Sequence, residues 1–180
     1  MTAASCTAIA NEQCVGAFPS AKCEKAFGYG MDLGATGTIG AGLVFGETIQ
    51  VTSPLTVTRI GLIARAASMH LRLAIYAADG TGGAPKTWMA SALATATTVA
   101  LGRNELAVND PPATTPVRLA AGTYWVFGVF ETSTMLAEGS ANTAVRYTMV
   151  SPWNTPFPTT APTTTPDNLP AVNFYVVGVP

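Results

Sequence analysis

The sequence predicts an all-β fold, a two-sheet antiparallel β-sandwich, and three observations support this prediction. Short apolar runs recur from residue 38 onward, separated by clusters of Gly, Pro, Asn and Asp. Thr and Val are frequent in these runs, as they are in strands. No segment shows sustained helical periodicity. A chain of 180 residues is long enough for one such domain, and we expect roughly seven to nine strands.

The first 37 residues differ in composition from the rest of the chain. They hold all three cysteines, and glycines recur at positions 28, 30, 34 and 37. Regularly spaced apolar residues are too few here for a separate core, so the segment must dock elsewhere or stay mobile. We therefore predict an irregular N-terminal arm over residues 1–37 and a β-sandwich domain over residues 38–180.

Three strands are predicted in the first half of the sandwich. Residues 43–51 form one strand, which Pro54 terminates. Residues 55–64 form the second, and its apolar parity changes near Thr58-Arg59, which predicts a β-bulge. Residues 69–76 alternate strictly, which predicts a strand buried on one face and exposed on the other. The residues predicted to face solvent are His70, Arg72, Ala74 and Tyr76.

The second half begins with a Gly-rich loop at residues 79–85. Another loop is predicted at 111–116, and strands are predicted at 88–99, 105–108, 124–130, 145–149 and 173–179. Residues 124–130 are apolar at both parities, which indicates a central strand covered on both faces. Residues 151–170 are rich in Pro and Thr, and a good strand follows them. We therefore predict a long extended loop that lies on the sandwich.

The charge content excludes two classes of partner. Charged residues make up only 11% of the chain, and the net charge is -1. Nucleic-acid binding rests on clustered Lys and Arg, so we expect no nucleic-acid partner. A transmembrane helix needs about 18 or more consecutive apolar residues, and the sequence has no such run. Few charges with abundant Ala, Thr, Gly and Pro favour an extracellular or cell-surface location, although the first residues lack the features of a signal peptide.

The cysteines are Cys6, Cys14 and Cys23, separated by seven and eight intervening residues. Zinc sites use closer pairs and usually four ligands, so we expect no zinc here. The preferred hypothesis is one disulfide and one unpaired thiol. Three reduced thiols, or an intermolecular bridge through the odd cysteine, remain as alternatives. None of the three lies beside a plausible activating base in the sequence, so a catalytic thiol is not expected.

Two segments resemble a known class of domains. The first comprises residues 71–76 (Leu-Arg-Leu-Ala-Ile-Tyr), the Gly-rich loop that ends in Ala84-Pro85, and the strand that follows. The second is residues 117–126, Val-Arg-Leu-Ala-Ala-Gly-Thr-Tyr-Trp-Val. Together they resemble the jelly-roll modules of bacterial secreted and cell-surface proteins, over roughly residues 42–179. The resemblance implies a jelly-roll sandwich that acts as an appended domain beside carbohydrate-active or adhesive parts. It does not extend to the cysteine-bearing arm.

The sequence does not favour an enzyme. His70 is the only histidine, and strand parity places it in solvent beside Arg72 rather than beside an orienting carboxylate. No nucleophile elbow, phosphate loop or zinc-protease motif is present. Acidic residues fall mostly at predicted turns and strand ends, where we expect them to be solvated. We predict no catalytic residue and no cofactor or metal, although Asp79 or Asp110 is compatible with a structural Ca²⁺ ion.

Aromatic residues are the best candidates for ligand binding. Trp153 and Phe157 lie in the Pro-rich loop, where exposed rings are able to stack on a sugar or pack on another subunit. With Asp79 and Trp88 they form the predicted ligand-binding set, and the loop at 79–85 is the expected lip of the site. The alternative is structural: Trp153 and Phe157 would form a hydrophobic lid, and Trp88 would belong to the core.

Two functions from different classes follow. The first is a non-catalytic extracellular module that binds a glycan or a surface polymer. The second is a structural subunit of an extracellular or surface assembly, such as a filament or coat, which packs on copies of itself through the arm and the Pro/Thr loop. Low charge is compatible with self-association, although exposed apolar patches are what mark interfaces.

Overall fold

A computed structural model of the chain describes residues 12–15, 22–66, 70–94, 100–108, 117–139, 146–161, 163, 165–167 and 169–180. Within these residues the fold is an antiparallel β-sandwich of two sheets, which confirms the predicted fold class. It contains fourteen strands rather than the expected seven to nine. In the described part of the chain, the one helical segment is a 3₁₀ turn at Thr81–Gly83.

The strands, in chain order, are β1 Glu12–Val15, β2 Lys22–Gly28, β3 Ala35–Ile39, β4 Leu43–Val51, β5 Leu55–Ala64, β6 Leu71–Ala77, β7 Trp88–Ala94, β8 Gly102–Ala107, β9 Val117–Leu119, β10 Gly122–Phe130, β11 Thr134–Glu138, β12 Arg146–Val150, β13 Thr165–Asp167 and β14 Phe174–Val179. Sheet 1 has the order β1-β2-β14-β5-β11-β3, and β8 and β9 also pair with β5. Sheet 2 has the order β13-β12-β4-β10-β6-β7.

Three of these strands lie wholly or partly within residues 1–37, where the sequence predicted irregular structure. That prediction was wrong for β1, β2 and the first part of β3. Strand β2 pairs with β14, β1 pairs with β2, and β3 pairs with β11. Their partners lie far away in the sequence or carry no clear apolar pattern, so local periodicity could not reveal them. Residues 1–11 and 16–21 lie outside the described part, and the division into two domains stays a prediction.

The main core lies between the sheets. It takes alternate residues from most of the longer strands, including Leu71, Leu73 and Ile75 of β6 and Phe174 and Val176 of β14. This alternation is the period of two that the sequence shows. In β10 both faces are buried from Tyr124 to Phe130, so the prediction of a central strand covered on both sides is confirmed.

The predicted bulge in β5 is also present. Arg59 lies opposite Val177 while Val57 lies opposite Gly178, so Thr58 is an extra residue on β5. The extra residue reverses the parity, and therefore both Val57 and Ile60 can enter the core. The sequence located this irregularity because the apolar residues change parity at the same point.

A close contact between β5 and β14 fixes the outer face of sheet 1. The ring of Tyr175 lies directly over Gly61, so that a Cβ atom added at Gly61 would be 2.2 Å from Cζ of the ring. Gly61 and Tyr175 are register partners, and Tyr175 is fully buried. A glycine is therefore required at position 61 for a spatial reason.

We expect Gly61→Ala to reduce the free energy of unfolding by about 1–3 kcal/mol, because the new methyl group overpacks the site. Chemical denaturation measures the change. Gly30→Ala is the matched control, since its Cβ would meet the same ring at an ordinary 3.7 Å. It should change stability by no more than about 0.5 kcal/mol. Equal stabilities of the two variants would contradict the steric argument.

Candidate functional site

The Pro-rich segment at residues 151–161, which we call the strap, runs across the outer face of sheet 2. At its start the Ser151 N–H donates to the Gly42 carbonyl oxygen at 3.0 Å. At its end the Ala161 N–H donates to the Lys86 carbonyl oxygen at 2.7 Å. The strap is thus held at both ends by backbone hydrogen bonds. This confirms an extended loop on the sandwich over residues 151–161, whereas the predicted loop ran to residue 170 and part of that range is strand β13.

Beneath the strap lies a second apolar cluster, distinct from the main core. It contains the buried residues Val44, Ala74, Tyr76, Trp125, Phe127, Val129 and Phe157, with Trp88 and Trp153 packed on it and partly exposed. The Tyr76 hydroxyl donates to the Pro158 carbonyl oxygen at 2.6 Å, and burial raises the pKa of this hydroxyl strongly. Phe157 is only 6% exposed. Its ring covers the apolar cluster, as in the alternative in which this residue forms part of a hydrophobic lid.

The strap also corrects the prediction for β6. Arg72, Ala74 and Tyr76 were expected to face solvent, but all three are buried. The residues of β6 do alternate between two faces, with Leu71, Leu73 and Ile75 in the main core. The opposite face, which the pattern assigned to solvent, is covered by the strap and by neighbouring strands. Such a cover comes from a segment far away in the sequence, and the periodicity of β6 carries no information about it.

His70 is partly exposed, but the expectation that it has no carboxylate beside it was wrong. Its Nδ1 lies 2.8 Å from Oε2 of Glu131, and Nδ1 must donate because a carboxylate only accepts. The imidazole also stacks on the indole of Trp153, with ring centroids 4.9 Å apart and planes 18° apart. The His70 and Glu131 side chains are 37% and 36% exposed. We call these three residues the Trp153 end of the strap.

The opposite end of the strap meets the Gly-rich loop. Trp88 lies at the start of β7, and its indole N–H donates to Oγ of Ser91 at 2.8 Å. In the loop, Asp79 accepts two hydrogen bonds from Thr87, from the backbone N–H at 2.9 Å and from the hydroxyl at 2.5 Å. The indole N–H of Trp125 donates to the Gly83 carbonyl oxygen at 2.9 Å. We call Trp88, Asp79 and this loop the Trp88 end.

The structure therefore brings the four predicted ligand-binding residues to one face, but at two separate ends. His70 immediately precedes β6, whereas Tyr76 near the other end of β6 pairs with Trp88. Six residues of strand correspond to roughly 20 Å. Trp153 stacks on His70, and His70 in turn pairs with Glu131; the sequence suggested neither contact. Trp88 and Asp79 share the other end, and Phe157 lies within the strap between the two, with its ring buried in the apolar cluster beneath.

A structural Ca²⁺ ion finds no clear support at the predicted positions. Among the described residues, no three His, Cys, Asp or Glu side chains come together as a metal site requires. The Asp79 carboxylate already accepts two hydrogen bonds from Thr87. Asp110 lies outside the described residues, as does Cys6. The expectation of no cofactor stays a prediction.

Glu24 and Glu47 are both buried, which contradicts the expectation that the acidic residues are solvated. Glu47 lies inside β4 and is fully buried. Its carboxylate accepts hydrogen bonds from the backbone N–H groups of Thr48 at 3.2 Å and Val172 at 3.3 Å. Burial, and secondarily the charge of Glu47, raises the pKa of Tyr29. Nothing in the sequence around Glu47 indicated that Val172, 125 positions away, would be its partner.

A polar network on the outer face of sheet 1 was also missed. Arg59 donates to Glu24 with two nitrogens and to Oε2 of Glu105 at 2.7 Å. The hydrogen bond to Glu24 raises the pKa of Arg59. Arg103 donates to Oε1 of Glu105 at 2.8 Å and lies over the Tyr175 ring at 4.7 Å. These charges lie on β2, β5 and β8 and satisfy one another, so we assign them a structural role.

No helix in the described part of the chain is long and apolar enough to span a membrane. Comparisons of the chain with protein families, curated proteins and solved structures found no match. The functional argument therefore rests on the two ends of the strap.

The hydrogen bonds at Asp79 have a measurable consequence. The Thr87 hydroxyl, followed by the Thr87 backbone N–H, lowers the pKa of Asp79 below its ordinary value of 3.8. Because the pKa is lowered, these hydrogen bonds stabilise the fold at pH values above the ordinary pKa. This contribution is lost as the pH falls through the lowered pKa.

We expect Thr87→Ala to raise the pKa of Asp79 towards 3.8, as measured by NMR titration of the Asp79 carboxyl carbon. Thr87→Ser keeps a hydroxyl and should leave the pKa low, and an unchanged midpoint in Thr87→Ala would contradict the assignment.

Proposed function

We propose that the chain is a non-catalytic extracellular module that binds a glycan or another surface polymer at the Trp153 end of the strap. The observation that carries this proposal is the partly exposed Trp153 ring stacked on His70, next to the partly exposed carboxylate of Glu131. These side chains come from three separate segments of the chain. They converge on one point of the surface, which is how binding sites are built.

The chemistry of these groups suits a neutral, hydroxyl-rich ligand. An indole offers a flat apolar surface for the C–H face of a sugar ring. A carboxylate accepts hydrogen bonds from hydroxyl groups, and an imidazole adds a second polar group at the rim. The low charge of the whole chain favours a neutral polymer over a strongly charged one.

The site is also held in place before a ligand arrives. His70 fixes Trp153 by stacking, Glu131 fixes His70 by a hydrogen bond, and the strap is tied to sheet 2 at both ends. Ordering a mobile side chain costs about 0.5–1.5 kcal/mol on binding, and this arrangement reduces that cost. An extended strap on a sheet also leaves room for a linear chain that is longer than one sugar unit.

The His70–Glu131 pair requires a separate test, because a histidine with an orienting carboxylate is also a part of general-base catalysis. In the proposed function its role is to hold Trp153. Incubation of the protein with the bound polysaccharide should release no new reducing ends. Release by the unaltered chain, but not by His70→Ala, would show that the module is an enzyme.

We expect Trp153→Ala to weaken binding to a polysaccharide by about two- to tenfold, because one ring contact contributes about 0.5–1.5 kcal/mol. Pull-down on insoluble cellulose, chitin and xylan finds the ligand, and affinity electrophoresis with a soluble form of it measures the loss. Trp153→Phe retains a ring and should lose less.

The matched control is Trp88→Ala, which removes the same side chain from the opposite end of the strap. It should leave the affinity within about twofold of the unaltered protein, provided that thermal unfolding shows a folded variant. Equal losses in Trp88→Ala and Trp153→Ala would place the ligand along the whole strap. Full binding by Trp153→Ala would exclude the Trp153 end as the site.

A second candidate function, a structural subunit of a surface assembly, is favoured by a different observation. Met31 and Leu101 are 74% and 70% exposed, and Met135 is also exposed. All three lie near Arg65. Met31 precedes Asp32, which pairs with the Arg65 guanidinium at 2.5 Å, and the Met135 carbonyl oxygen accepts from the Arg65 N–H at 2.8 Å. Leu101 precedes Gly102, which lies opposite Ala64, the residue before Arg65. Adjacent exposed apolar side chains are typical of interfaces.

Light scattering during size-exclusion chromatography distinguishes the two functions. A binding module should elute as a monomer. A subunit should form larger particles that Met31→Ser/Leu101→Ser disperses, whereas Leu169→Ser, at a residue that is 38% exposed elsewhere, should not. A monomer at every concentration, before and after the substitutions, would remove the assembly function.

A further inference from the structure

We infer that Cys14 and Cys23 form a disulfide bond that fastens β1 to β2 and leaves Cys6 as the single thiol. Three cysteines permit three pairings, and the sequence does not choose among them. The backbone register makes the choice: Cys14 and Cys23 are directly opposite each other in the antiparallel β1–β2 pair. The register on either side is continuous, with Gln13 opposite Glu24 and Val15 opposite Lys22.

This register matches the geometry that a disulfide requires. Opposed residues of an antiparallel pair have Cα atoms about 4.5–5.5 Å apart and lie on the same face of the sheet. Disulfides join residues whose Cα atoms are about 4.4–6.8 Å apart. The bond therefore needs no movement of the backbone.

One of the two strands is firmly held by the rest of the fold. Strand β2 pairs with β14 over four register positions, from Gly28 opposite Tyr175 to Lys25 opposite Gly178. Glu24, the residue next to Cys23, is buried and accepts hydrogen bonds from Arg59 of β5. Cys23 thus lies on a fixed strand.

The other strand depends on β2. In the described part of the chain β1 pairs with β2 alone, over four register positions. Two-stranded pairings of this length are marginal in water. A covalent bond between opposite residues keeps β1 on β2, and β1 then covers the edge of sheet 1 that β2 would otherwise expose. A short edge strand with a charge, here Glu12, opposes edge-to-edge association.

The bond forms by thiol–disulfide exchange with a small-molecule disulfide such as oxidised glutathione. The thiolate of one cysteine attacks a sulfur of the oxidant and releases one glutathione. The second cysteine attacks the mixed disulfide and releases the other glutathione. The two cysteines lose two electrons and two protons, and one oxidised glutathione becomes two reduced molecules.

The test is peptide mapping of the full chain after equilibration with oxidised glutathione and blocking of free thiols. Trypsin cleaves after Lys22, and a glutamyl endopeptidase cleaves after Glu12, so the two enzymes place each cysteine on a separate peptide. We expect residues 13–22 to be linked to the short peptide that begins at Cys23. The blocking reagent should label Cys6, with one free thiol per chain.

Matched variants complete the test. Cys6→Ser should retain the linked peptides and have no free thiol. The double variant Cys14→Ser/Cys23→Ser should melt about 5 °C lower than the unaltered chain and should no longer respond to a reducing agent. Linkage of Cys6 to either other cysteine, or three free thiols in the folded, equilibrated chain, would overturn the inference. These readouts are independent of any ligand, so failure of the proposed binding function would leave them unchanged.

Discussion

Strand β10 is apolar on both of its faces, and the rest of sheet 2 is arranged around the need to bury both. One face packs against sheet 1 and forms the main core. The other carries Trp125, Phe127 and Val129, and the neighbouring strand adds Ala74 and Tyr76. Burying a large apolar side chain contributes about 1.5–3 kcal/mol, so leaving this second face in water would be costly. The strap meets this need.

The composition of the strap follows from what it must cover. Proline has no backbone N–H, so a Pro-rich segment can lie on an apolar surface with few donors that require partners. The polar groups that do approach the surface find partners, as the Pro158 carbonyl does with the Tyr76 hydroxyl. The strap also carries Trp153 to the end of β6, where it meets His70. The candidate binding site is thus a consequence of how sheet 2 is covered.

Charged residues are few, and several of them form pairs that join segments distant in the sequence. Arg59 joins β5 to β2 and β8, Arg65 pairs with Asp32, and His70 pairs with Glu131. These pairs tie one part of the chain to another. Exposed pairs contribute only about 0–1 kcal/mol to stability, so their clearest role is to fix position. A surface so poor in charge leaves aromatic and hydroxyl chemistry as the means of recognition, and this agrees with the proposed ligand class.

The sequence by itself determined the fold class, most strands, the bulge at Thr58 and the cover on both sides of β10, because each leaves a pattern within a few residues. Only the tertiary structure decided three further features: the cover over β6, the placement of β2 and β3, and the partner of His70. Glu131 is 61 positions away from His70 in the chain, and no periodicity links positions so far apart. The sequence also left the partners of the three cysteines open, and the register of β1 on β2 places Cys14 opposite Cys23. Periodicity shows which face of a strand is apolar, whereas the contacts that bury it or complete a site depend on how distant segments meet.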